Sequence, residues 1–144
     1  MTAGVERLAA DPGRDWTPAS GASDDQIAQL MAAAPWPVPD ALLALLRHAN
    51  GGEGELALAP RRFVLDPVEL IVDSFDDAEL VEQFAGFFFF GGNGGLERIA
   101  LDCRNGPPFP VVMIDPIAGP GSAEAIAPDL DAFIAAIGHA YPEP

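Results

Sequence analysis

The chain contains no lysine, one cysteine and two histidines among its 144 residues. Each scarcity removes a class of chemistry. A single thiol, Cys103, forbids an internal disulfide. A zinc site wants Cys and His in close pairs, which one Cys and two distant His do not supply. Neither histidine lies near Cys103 in the sequence to serve as its base, so a small buried or strand-end thiol is expected rather than a nucleophile. His48 and His139 fall in the last turns of expected helices, where a cation suits the helix dipole. No apolar run reaches bilayer length, and the first sixteen residues lack the cationic start and apolar core of a signal peptide. The expectation is a cytoplasmic protein with no cofactor, no metal and no enzymatic activity.

Two further catalogues of chemistry meet the same poverty. Gly91 to Gly95 exposes backbone N–H groups in the manner of an anion cradle, but a P-loop needs Lys and Ser or Thr next, and Leu96-Glu97 stands there. Asp73, Asp76, Asp77 and Glu79 lack the alternating ligands and central glycine of an EF-hand. Paired-carboxylate hydrolysis is the one enzymatic reading left open, because acidic residues are abundant and their spacing in space is not written in the sequence.

What is present is apolar mass and negative charge. Apolar residues make up 49% of the chain, enough for one domain to bury a sizeable core without metal or disulfide. Twenty-two acidic residues face seven arginines, a formal net charge of −15. Such a chain repels nucleic acid and anionic membrane and attracts a basic protein. On charge alone, solubility is the simpler explanation of the excess.

Periodicity orders the elements. Residues 1–22, rich in Gly, Pro, Ala and Asp, read as a loosely held arm with Trp16 as its one anchor, and residues 23–141 as the domain. Ser23 and Gln26 form a capping box, and Ile27, Leu30, Met31 and Ala34 make one apolar stripe on a helix that Pro35 stops. Asp40 to Ala49 repeats the spacing with Leu42, Leu45 and Leu46, and Asn50-Gly51-Gly52 reads as a left-handed cap. Leu56 to Leu58 and Arg62 to Leu65 are expected to form a first hairpin. Residues 67–84 read as partly helical, with Leu80, Val81 and Phe84 inward and the acids outward. Phe87 to Phe90 predicts a strand buried on both faces, Gly91 to Gly95 a reversal, and Leu96 to Leu101 and Val111 to Ile114 the returning strands of a meander. Gly119 to Ser122 reads as a loop, and Leu130, Phe133, Ile134 and Ile137 mark a closing helix ended by Gly138. Helices, then sheet, then helix is a single α+β domain.

Six segments in this order carry a resemblance: residues 38–43, Asn50-Gly51-Gly52, Phe89-Phe90-Gly91, Gly92-Asn93-Gly94-Gly95, Ile99-Ala100-Leu101-Asp102, and residues 110–115. Over residues 24–138 the chain resembles the SMI1/KNR4 family, also called the SUKH superfamily. The resemblance implies a central, mostly antiparallel sheet flanked by N-terminal helices and a C-terminal helix, and a binding role without catalysis. Bacterial members of that family are associated with polymorphic toxin systems as immunity proteins that neutralise a cognate toxin, often a nuclease. Fungal relatives act as regulatory scaffolds, which makes an interaction module with no toxin partner the alternative. A nuclease inhibitor competes with a polyanion, so Asp66, Glu69, Asp73, Asp76, Asp77, Glu79 and Glu82 are the expected partner-binding residues, opposite a basic toxin domain. Glu53 and Glu55 are weaker candidates, and for each of these acids a solvated helix surface is the plain alternative.

Overall fold

A computed structural model describes residues 3–142. In chain order the elements are α1 (Ala3–Ala10), β1 (Trp16–Pro18), α2 (Asp24–Ala33), α3 (Asp40–His48), β2 (Gly52–Glu55), β3 (Arg62–Leu65), α4 (Val68–Asp76), α5 (Ala78–Gln83), β4 (Phe87–Gly92), β5 (Arg98–Asp102), β6 (Val111–Ile114), β7 (Glu124–Ala127) and α6 (Leu130–Ala136). The seven strands form one sheet in sequential order, and every pairing is antiparallel. This is the α+β domain that the hydrophobic pattern predicts.

The centre of the sheet follows from its composition. Strand β4 is buried along its whole length, and its phenylalanines alternate between faces as the period of two requires. Phe88 and Phe90 enter the larger core with Ile99, Leu101 and Val111, while Phe87 and Phe89 join Ala100, Val112 and Ile114 on the other side. The larger core receives α1, α2, α3, α4 and α6; the smaller is covered by Leu80 of α5, by Phe84 and by Ala123. Gly91 and Gly92 belong to the strand rather than to the turn. A Cβ at Gly91 would lie 2.4 Å from the Val64 carbonyl oxygen, so glycine there admits β3 at a point where the β4–β5 register shifts. The reversal lies two residues later than expected, over 93–97: Asn93 N–H donates to the Glu97 carbonyl at 3.1 Å, and Gly94 alone in this turn has positive φ.

Helix starts match the residue signals. The Ser23–Gln26 capping box closes in both directions, and Asp77 and Asp129 cap α5 and α6 by accepting from Leu80 N–H and Ala132 N–H. Asn50 does not end α3 as a left-handed cap; Ala49 there is extended, and the Asn50 Oδ1 instead accepts from Val68 N–H at 2.7 Å, capping the start of α4. Val81, expected inward, is half exposed.

The periphery departs most from expectation. Residues 3–18, read as a loose arm, supply α1, whose Val5 and Leu8 are buried at i, i+3, and the edge strand β1. Two polar side chains hold this segment. Arg14 donates to the Ile134 and Ile137 carbonyls at the end of α6, both at 3.3 Å, and the Trp16 indole N–H donates to His48 Nε2 at 3.1 Å while its ring stacks on Phe63. The first hairpin pairs β3 with Gly52–Glu55, not with Leu56 to Leu58; Leu56 leaves the ladder for a single bridge to Ile137. A Cβ at Gly54 would sit 2.0 Å from the Asp15 carbonyl oxygen, so this Gly/Glu-rich strand owes its composition to close approach by β1. Strand β7, on the far edge, follows a Pro120–Ser122 turn and carries no strong apolar alternation.

Candidate functional site

From Phe63 to Glu97 the chain carries no arginine, lysine or histidine. Helices α4 and α5 lie inside that stretch. Glu69, Asp73 and Asp76 recur at i, i+4 and i+7 along α4, which places them on one stripe, and all three are exposed. Asp77 spends one oxygen on the N-cap of α5, and Glu79 and Glu82 stand one turn apart on that helix, both exposed. Six of the seven expected acids are therefore gathered on two consecutive helices. Like charges at this spacing repel, and nothing cationic on either helix relieves them.

Asp66 stands apart. It follows β3, is partly buried, and its Oδ2 accepts from the Arg98 guanidinium at 2.8 Å, so its charge is already matched. Glu69 accepts from the Gln26 amide of α2, which fixes its direction without neutralising it. Glu53 pairs across the hairpin with Arg62 at 2.9 Å, and Glu55 lies on the same strand without joining the α4–α5 face.

Beneath the acidic helices lies a cleft that sequence reading did not single out. Its volume is about 290 Å³, and it opens where the chain passes from α4 on one side of the sheet to α5 on the other. Trp36, Phe75, Phe84, Phe87 and Phe89 give it an aromatic floor, and Asp76, Val81, Ala33 and Ala85 lie at its mouth. The ring contacts are edge-on: Phe84 meets Phe89 at 5.6 Å and Trp36 meets Phe75 at 6.4 Å. Two signals pointed here: a tryptophan among three prolines, where a rigid connector presents it, and an apolar Val81 on the short, otherwise mostly polar helix α5.

The remaining reactive groups have structural occupations. Burial, with a contribution from the neighbouring Asp102 charge, pushes the Cys103 thiol up to about 12, far from thiolate formation at neutral pH. Bidentate hydrogen bonding from Arg104 at 2.9 Å holds the Asp102 carboxyl below the usual carboxylate range. Burial lowers the pKa of His48, consistent with a neutral ring that accepts the Trp16 N–H. Among the described residues no group of three or more His, Cys, Asp or Glu converges to hold a metal, and no helix is long and apolar enough to cross a membrane.

The profile of the SMI1 / KNR4 family (SUKH-1) matches residues 21–136, from just before the α2 cap to the last residue of α6. No curated protein matches the chain.

Proposed function

The chain belongs to the SMI1 / KNR4 family (SUKH-1), and on that premise we propose that it is a non-enzymatic protein-binding domain, an immunity protein that neutralises a basic toxin domain. The observation that carries this reading is the uncompensated acidic face of α4 and α5, with Glu69, Asp73, Asp76, Asp77, Glu79 and Glu82 exposed and no cation on either helix. A nuclease presents a positive surface to its polyanionic substrate. A negative face on a folded scaffold can cover that surface, raise the encounter rate and fix the register of docking.

Charge also sets the form of the interaction. Exposed ion pairs are screened by salt with a Debye length of about 8 Å at physiological ionic strength, so association should be fast at low salt and slow as salt rises. The alternative, a regulatory interaction module with no toxin partner, predicts broader and weaker binding. The immunity reading predicts a toxin domain encoded by a neighbouring gene, and co-expression decides: cells carrying such a domain should survive only when the intact chain is present. Cell death regardless of its presence sinks the immunity reading.

A further inference from the structure

The acidic face is not flat; it borders the aromatic cleft described above. We propose that this cleft is the anchor pocket of the interface: it takes one large apolar side chain from a partner segment in which that side chain is flanked by arginine or lysine. The inference rests on the immunity reading and specifies the partner chemistry that reading leaves open.

Size, polarity and charge each constrain the occupant. About 290 Å³ lies at the lower end of ligand pockets, which suits one side chain rather than a cofactor or an extended helix. The floor is aromatic, and the one hydroxyl of the lining, Ser74, is already committed to the Ile71 carbonyl. Val81 stands half exposed at the mouth, an apolar surface that a partner would cover. Asp76 lines the opening, and Asp77, Glu79 and Glu82 continue the negative rim along α5. Arg104 borders the opposite end beside Gly86, but Asp102 holds its guanidinium in two hydrogen bonds and it lies over the Phe87 ring at 4.7 Å. A neutral apolar peptide would leave the rim unmatched, and a purely basic one would leave the floor wet. An apolar residue between cations satisfies both, in the arrangement of interface hot spots: a desolvated anchor inside a polar ring.

The test titrates the full-length, isotope-labelled chain with three capped pentapeptides and follows backbone amide resonances. The first is Arg-Arg-Leu-Arg-Arg, the second replaces Leu by Gly, and the third is Gly-Gly-Leu-Gly-Gly. The expected result is saturable shifts confined to residues 33–36 and 74–89 for the first peptide. Affinity should be roughly tenfold weaker without the leucine, the value of burying one such side chain. It should also fall as salt is raised. Ala33→Leu, at an exposed position on the cleft wall, should fill the cleft and abolish the shifts while leaving the rest of the spectrum unchanged; Ala85→Leu serves if Ala33→Leu fails to fold. Equal binding of the glycine peptide, equal binding of the uncharged peptide, no shifts at millimolar peptide, or indifference to the filling variants each overturns the proposal. A chain that protects cells from its toxin without binding the first peptide keeps the immunity reading and loses the anchor pocket. A chain that binds the peptide in the cleft but fails to protect keeps the pocket and loses that reading.

Discussion

On one face of β4, Phe88 and Phe90 are sealed beneath five helices; on the other, Phe87 and Phe89 share the sheet surface with Ala100, Val112 and Ile114 under a cover of Leu80, Phe84, Ala123 and two arginine side chains. The same four-residue run therefore supports two layers of unlike thickness. Phe90 touches Phe63 and Phe133 edge-on, rings that are fully buried themselves. Phe87 lies under the Arg104 guanidinium, whose side chain is half exposed. The thick face accounts for stability, since interior packing is dense and cannot relax around a loss. The thin face can yield, and it is there that the cleft opens and α5 carries its uncompensated charge.

The sharpest way to break this contrast is to truncate each layer in turn. Phe90→Ala should cost about 3–5 kcal/mol, and Phe87→Ala about 2 kcal/mol, because side chains on the thin face can collapse into the space. Equal midpoint shifts in urea unfolding would erase the distinction. Next in size, Leu8→Ala should cost about 2–3 kcal/mol if α1 belongs to the thick layer as its burial indicates. A change below about 0.5 kcal/mol would return residues 3–18 to the status of a dispensable arm.

A smaller effect tests how that segment is held. Burial lowers the His48 pKa in the folded chain, so the neutral ring contributes stability that is present above the unfolded value of about 6.5 and is lost as pH falls below it. Protonated His48 cannot accept from Trp16. Protection of the Trp16 and Thr17 amides, taken relative to the intrinsic exchange rate at each pH, should weaken as pH drops from 7 to 5, by no more than the roughly 1.5 kcal/mol worth of one hydrogen bond, and Trp16→Phe should remove the dependence. An unchanged exchange profile would separate the edge strand from His48. Smallest is the charge change on the thin side: Asp76→Asn, Glu79→Gln and Glu82→Gln together should move stability by less than about 0.5 kcal/mol per site while weakening association with a basic protein at low salt. Lost stability with undiminished association would make those acids structural.

The centre of the fold was legible because it is locally over-determined. Phe87 to Phe90 is too bulky for a loop and too short for a membrane span, and Ser23 with Gln26 closes its helix start by contacts three residues apart. The periphery was not. Gly52–Glu55 has no hydrophobic alternation, and its strand exists because β1 and β3 approach from both sides. Residues 3–18 look loose in composition, yet Arg14 and Trp16 reach partners at positions 134, 137, 48 and 63. At the candidate site the acids were visible as a run, whereas the cleft needs Trp36, Phe75 and Phe89 brought together from three separate segments.

By itself, the sequence determined the α+β class, the family, the starts of α2 and α3 and the excess of negative charge, because each follows from composition or from contacts within a few residues. Only the tertiary structure decided that Asp66 pairs with Arg98 while six other acids gather on helices that carry no cation, that the N-terminal residues complete the sheet, and that an aromatic cleft lies beneath the acidic helices. Those outcomes depend on which distant side chains meet, and that is settled by packing the two faces of one sheet.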